Sequence, residues 1–338
     1  MKKQKFLLCL FSIFLVAIIF CLPVFAADTD LNNTKLYVGG MPFGAKISSN
    51  GLTVVKFTET QGEDASSAYL AGIRQGDIII KINNNTINSI EDFVRQIDKC
   101  SGKPLNITVN RNGKELIFSV TPKYSNDDGK YKTGIWVKDS TSGIGTITFI
   151  NPKTNEFGGL GHAICDSVSG KIVPLSRGVV MDVAINGVIK GQAGIAGELK
   201  GVFEPKKIGT LLKNCECGVF GVLSNDAISS PEEPMNICKK DNVQEGDAYI
   251  WCTLGNGKPE KYQVQITCID QTNTTKNFRI KITDEKLLEK SGGIVQGMSG
   301  SPVIQNGQLV GAVTHVLIND PTQGYGIFIE NMLNKMNS

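Results

Sequence analysis

The chain has 338 residues, a formal net charge of +3, 41% hydrophobic and 20% charged residues. That is enough sequence for two globular domains, and no run of Lys and Arg interleaved with aromatics occurs, so a nucleic-acid partner is excluded. Of nine cysteines, Cys9 and Cys21 lie in an apolar N-terminal segment; the other seven show no paired Cys-x-x-Cys spacing, which argues against a zinc site and for core thiols, with some disulfide pairing as the alternative.

Residues 1–27 read as an export segment. Met1-Lys2-Lys3-Gln4-Lys5 is basic, Phe6 to Leu22 is nearly all apolar, and Val24-Phe25-Ala26 ends in a small-residue cleavage site. The apolar run is also about the 20 residues that span a bilayer, so a retained anchor helix is the competing reading. In either case the lysines stay in the cytoplasm and the rest crosses the membrane. Residues 28–35 are polar, without periodicity, and read as a linker.

From Leu36 the chain becomes short strands around one helix. A small-residue helix ends at Gly72, a turn follows at Gly76-Asp77, and Ile78-Ile79-Ile80-Lys81-Ile82 is a β-branched strand. This wording, continued through a helix from Ile90 to Cys100 and strands at Leu105–Asn110 and Glu115–Pro122, resembles the PDZ domain, and residues 36–123 are assigned to an α+β PDZ unit. The resemblance puts Phe43-Gly44-Ala45 at the loop whose amides receive a peptide carboxylate, with Ala45-Lys46-Ile47 as the edge to which a peptide or protein C-terminus adds. A groove blocked by the chain itself is the alternative. Residues 124–133 are polar and read as an inter-domain linker.

Residues 134–338 consist of short strands broken by glycines, which suggests an all-β barrel or sandwich. His162 follows Gly158, Gly159 and Gly161, where backbone packs closely. Gln296-Gly297-Met298-Ser299-Gly300-Ser301-Pro302 then places a serine between glycines, and Asn306-Gly307 between apolar segments signals a hairpin behind it. Such a loop can turn the amides of Gly297 and Ser299 toward one point, an oxyanion hole beside a Ser299 nucleophile. This order resembles the nucleophile region of chymotrypsin-like serine proteases, with Ser301 where a second glycine is usual. A serine nucleophile needs a base, and His162 and His315 are the only imidazoles. His315 follows the hairpin, where the chymotrypsin-like pattern lines the side-chain pocket, so His162 is the better base and His315 a pocket or structural residue. Asp166, Asp182, Asp226 and Asp284 are all available to orient it, and spacing does not choose among them.

Taken together, the export segment, the PDZ unit, Gly134 to Thr146, Gly159-Leu160-Gly161-His162-Ala163-Ile164, Gly292 to Pro302 and Thr314 to Ile327 resemble the stage IV sporulation protein B (SpoIVB) peptidases of endospore-forming bacteria. The resemblance implies a mainly β protein with a chymotrypsin-like double-barrel peptidase domain and a serine endopeptidase activity carried by His162, Asp284 and Ser299. It implies no metal or organic cofactor. It further implies export from the forespore to the intermembrane space, self-cleavage near the N-terminus, and cleavage of an inhibitory membrane protein that restrains an intramembrane metalloprotease, so that a mother-cell sigma factor precursor is processed. The PDZ unit would hold the peptidase inactive or recognise its partner. Asp284 lies only fifteen residues before Ser299, closer than two-barrel proteases usually place it. A secreted PDZ scaffold with a non-catalytic protease-like domain is the alternative.

Overall fold

The computed structural model describes residues 34–62, 65–227, 233–255 and 257–338. The predicted export or anchor segment lies outside the described residues. Among those described, no helix is long and apolar enough to cross a membrane. The predicted linker closes earlier than expected, because Lys35 already opens strand β1 (Lys35–Val38).

Two sixteen-residue strands organise the fold. The first, β2 (Pro42–Phe57), leads into α1 (Ser67–Leu70), β3 (Ile78–Ile82), β4 (Asn85–Thr86), α2 (Ile90–Lys99), β5 (Leu105–Arg111) and β6 (Lys114–Val120). Helix α2 forms because Ser89 caps it by accepting the Asp92 amide, and because Phe93 and Ile97, four apart, share its buried face. They pack on Leu52, Val54, Ile79, Ile107 and Val109 in a PDZ core. The predicted Gly76-Asp77 turn is pinned by a buried Asp77, which accepts two 2.7 Å bonds from the Arg111 guanidinium. Residues read as a spacer form a small hairpin, β7 (Lys123–Ser125) and β8 (Lys130–Lys132), whose Tyr124 and Tyr131 rings meet edge-on at 5.2 Å.

The second long strand, β9 (Ile135–Ile150), carries the chain out of the PDZ unit. It is followed by β10 (Glu156–Gly159), β11 (Arg177–Ile189), β12 (Glu198–Cys215) and β13 (Gly218–Leu223). These close into a barrel in the order β2-β9-β10-β13-β12-β11 and back to β2. Phe43, Ile47, Ile147, Phe157, Val180 and Val219 fill it. Strand β14 (Met235–Asn236) pairs with β1, and a second barrel follows: β15 (Gly246–Cys252), β16 (Glu260–Thr267), β17 (Phe278–Ile282), β18 (Pro302–Gln305), β19 (Gln308–Leu317) and β20 (Asp320–Phe328), closed in the order β15-β16-β17-β20-β19-β18. Helix α3 (Glu285–Ser291) lies between β17 and β18, and α4 (Ile329–Asn337) ends the chain. The seven described cysteines are free thiols.

This topology corrects two expectations. The PDZ unit does not precede the peptidase; it is inserted in the first hairpin of the first barrel. The β2–β9 ladder runs from Pro42↔Thr146 to Ser48↔Ser140 inside the barrel, shifts register, and resumes from Thr53↔Lys138 to Phe57↔Ile135 inside the PDZ unit. The boundaries expected at 36–123 and 134 therefore cut through shared strands. Nor are Phe43, Gly44 and Ala45 a ligand loop. Gly44 and Ala45 are paired on one side with Ile144 and Gly143 and on the other with Met181 and Val180, Phe43 and Ala45 are buried in the barrel core, and no edge is left for a peptide. An open edge of the PDZ sheet is instead that of β9 at residues 135–138, which pairs only with β2 there and, unlike the edge at β6, borders helix α2.

Replacing residues 58–134 by a two-residue Asn-Gly turn joining Phe57 to Ile135 is expected to leave a soluble protein with one cooperative melt. A chain starting at residue 134 lacks β2, opens the first barrel, and is expected to aggregate or lose cooperative melting, as circular dichroism and size exclusion will show.

Candidate active site

The loop between α3 and β18 is held from three sides. Gln296 bridges to β12, donating to Gly197 O and accepting from Leu199 N, both at 2.8 Å. Gly300 donates to Val313 O of β19 at 2.8 Å. From the first barrel, Thr146 donates its amide to Ser299 O at 2.9 Å and its hydroxyl to Gly297 O at 2.8 Å, while the Thr148 hydroxyl donates to Gly300 O at 2.7 Å. Gly300 must be glycine: its φ is +96°, and a Cβ there would lie 2.0 Å from Thr146 O.

With those bonds made, two amides are left over. Gln296, Met298, Gly300 and Ser301 all donate to protein carbonyls, whereas the N–H groups of Gly297 and Ser299 meet no protein acceptor among the described residues. These are the two donors that the sequence pattern singled out. Ser299 is half-buried and its hydroxyl donates to Thr314 O at 2.6 Å.

His162 arrives from the other barrel. It follows β10 after Leu160 and Gly161, both left-handed with φ of +64° and +66°. A non-glycine residue in that region is strained by roughly 1–2 kcal/mol, and the double turn throws the next side chain out of the sheet. The His162 and His315 ring centroids are 4.7 Å apart, and His315 directly follows the Thr314 whose carbonyl holds Ser299. The structure thus gathers both imidazoles and the serine, including the histidine expected to be a pocket residue.

His162 Nδ1 lies 2.9 Å from Ala163 O. A carbonyl can only accept, so in the neutral ring the proton is on Nδ1 and Nε2 is the free basic nitrogen. Burial lowers the His162 pKa, partly opposed by that carbonyl. His315 is lowered to about 4, by burial first and then by His162 and Lys276. Both rings are neutral at pH 7.

Among the described residues no carboxylate joins them. Asp284, expected as the third member, caps α3: its two oxygens accept from Leu287 N at 3.0 Å and Gln263 N at 3.1 Å. It stands there because a strand ends and a helix begins at that point, where an Asp satisfies otherwise unpaired amides. Asp226 pairs with Lys206, Asp166 with Lys138, and Asp182 accepts its neighbour's amide. The residue that sequence reasoning missed is Asn214, near the end of β12. Its amide group accepts from Ile164 N at 2.8 Å and donates to Ile164 O and Val173 O at 2.9 Å, clamping the segment just after His162. Fifty residues of separation left no signal for it.

A serine loop ahead of a hairpin in one antiparallel barrel, with two histidines brought together where a second barrel meets it, gives a double-barrel fold of the chymotrypsin type. The chain belongs to the SpoIVB peptidase S55 family, which matches residues 129–333, and a PDZ domain matches residues 43–121. Among curated proteins, it is 36% identical over 88 residues to the putative zinc metalloprotease LL2128 of Lactococcus lactis, covering 26% of this chain and 20% of that one. It is 34% identical over 71 residues to the regulator of sigma-W protease RasP of Bacillus subtilis, covering 21% and 17%. The chain thus spans a fifth or less of the length of these relatives. Among solved structures, the active form of the Rv3671c protease of M. tuberculosis aligns with a TM-score of 0.34 at 16% identity, covering 58% of this chain and 73% of that one. The thermostable serine protease AL20 from an extremophilic microorganism aligns with a TM-score of 0.35 at 11% identity, covering 58% and 89%.

Three outcomes follow from this geometry. Asp284→Asn keeps a capping side chain and is expected to retain activity within about tenfold, while Asp284→Ala lowers stability by about 1 kcal/mol; a loss near 10⁴-fold in the Asn variant, the size typical of a triad aspartate, would contradict the capping role. Thr146→Val leaves the buried Gly297 carbonyl without its hydroxyl partner, and chemical denaturation should show a loss of about 1–3 kcal/mol together with lower kcat. Because burial depresses His162, the acid limb of kcat/KM should fall below pH 6.5, the ordinary value for imidazole being about 6.5; a midpoint at or above that value contradicts the assignment.

Proposed function

We propose that Ser299 is the nucleophile and His162 the general base of this peptidase. Nε2 of His162 takes the Ser299 proton once the hydroxyl turns from Thr314 O, Ser299 attacks a peptide carbonyl, and the free amides of Gly297 and Ser299 receive the oxyanion. The protonated imidazole passes its proton to the leaving amine, and water releases the acyl-enzyme. Ala163 O fixes the tautomer, in the place expected of Asp284. The observation that carries this reading is the pair of amides, of Gly297 and of Ser299 itself, that meet no acceptor among the described residues, on a loop whose serine hydroxyl sits on the carbonyl next to His315 and so beside the rings of His162 and His315. The same pair speaks against a non-catalytic scaffold, which has no use for it.

On family membership and the export-type N-terminus we further propose that the enzyme acts in sporulation signalling: exported from the forespore, cleaving itself near the N-terminus, then cleaving an inhibitory membrane protein that restrains an intramembrane metalloprotease. The partial likeness to RasP-type proteases accords with a neighbouring role. The PDZ partner is read as an extended peptide or protein C-terminus, adding to β9 at 135–138.

Intact-mass analysis over time of residues 28–338 tests the first step. Discrete fragments are expected from the wild type and none from Ser299→Ala; equal cleavage in both removes Ser299 from the reaction. For the PDZ edge, hydrogen exchange with a peptide selected from a C-terminal library should show protection at residues 135–139. Protection confined to 43–47 would return the site to its sequence-expected position.

A further inference from the structure

Among the described residues no carboxylate supports the base in this site, and the groups set against its ring are the Ala163 carbonyl and His315. We propose that His315 is a positioning residue for the peptidase reaction, its imidazole stacked on His162 so that the ring is oriented and screened from water and its cation is supported when it forms. This deepens the reading of Ser299 and His162 and rests on it.

The geometry is specific. The rings are 4.7 Å apart at a 36° tilt, which is face contact rather than an in-plane hydrogen bond. His162 has its Nδ1–H on Ala163 O, which leaves the face of its ring to the His315 imidazole set against it. The backbone of His315 is held from behind, while the residue itself is exposed. Its carbonyl lies against Gly324 of β20, where a Cβ would come within 2.5 Å, and Thr314 before it is buried and donates its hydroxyl to Tyr325 O at 3.1 Å. An exposed ring, carried on β19 of the second barrel, thus lies against a half-buried one on the first.

The proton balance needs no exchange with His315. The Ser299 proton moves to His162 Nε2 and then to the leaving amine, and the positive charge on His162 lies over the face of a neutral ring at a cation–π distance. His315 remains neutral throughout, since its pKa is held near 4. The charged group that bears on the pair is Lys276, from the segment before β17; it and His162 both depress His315, and no carboxylate among the described residues bears on either ring. A protonated His315 would repel the His162 cation, so its low pKa suits the role.

The test is the rate at which a fluorophosphonate probe labels residues 28–338 between pH 4.5 and 8, compared in the wild type, His315→Ala and His315→Phe, with Ser299→Ala as the blank. His315→Ala is expected to slow labelling at pH 7.5 by about tenfold to a hundredfold, a fraction of what general-base catalysis supplies, and to move the acid limb upward as water reaches His162. His315→Phe restores a flat ring over His162 and should return the rate to within about fivefold of wild type with the original limb. Wild-type labelling by His315→Ala, or equal slowing in both variants with an unmoved limb, overturns the inference. Absence of labelling in the wild type instead removes the Ser299 reading on which it stands. Thermal melts of each variant fix an assay temperature at which all are folded.

Discussion

Thr146 of β9 ties the two barrels together at the point where chemistry is to occur. Its amide and hydroxyl hold the carbonyls of Ser299 and Gly297, and Thr148 two residues on holds that of Gly300. Taking up these carbonyls leaves the loop's amides facing the other way, so the oxyanion donors exist because a strand of the neighbouring barrel has claimed the acceptors. The consequence is that neither barrel makes the site alone. The same strand begins in the PDZ sheet, at Ile135, and its residue Lys138 pairs with Asp166 of the segment after His162 at 2.6 Å. The PDZ unit thus shares one strand with the contacts that hold the segments of both candidate catalytic groups.

The electrostatics differ from those of a carboxylate-supported triad. A buried histidine whose partner is a backbone carbonyl gains a fixed tautomer but little help in holding positive charge, and its pKa falls. Such a base is neutral over a wide pH range and weak. Its effectiveness depends on geometry, which places the burden on Asn214, which clamps Ile164, and on the rings of His162 and His315.

What was legible in the sequence was local. Asn306 and Gly307 have φ of +51° and +72°, the type I′ hairpin that an Asn-Gly pair encodes on its own, and the glycines around Ser299 demand their positive φ irrespective of tertiary context. Asp284 caps the helix that ends at Gly292, a local role that a strand-to-helix junction assigns to an Asp, whereas the triad place implied for it rested on the family resemblance and not on spacing. The PDZ signature was also local and held. Its boundaries were not, because β2 is one strand that serves two domains, changing partners across a register shift at Ser48–Thr53 near Gly51 that carries no more signal than a turn. Once Phe43, Gly44 and Ala45 fall on the barrel side of that shift, they become core. Contacts such as His162 with His315 and Asn214 with Ile164 join distant segments, and no period or spacing announces them.

The central claim is that the serine loop presents two backbone donors and a nucleophile to one point between the barrels. A crystal structure of residues 28–338 inactivated by a peptidyl boronate tests it directly. The account predicts a bond from boron to Ser299 Oγ, with a boronate oxygen about 2.7–3.1 Å from both the Gly297 and Ser299 amides and with the Thr314 carbonyl released. Boron on another residue, or an oxygen held by side chains with those two amides turned away, would contradict it.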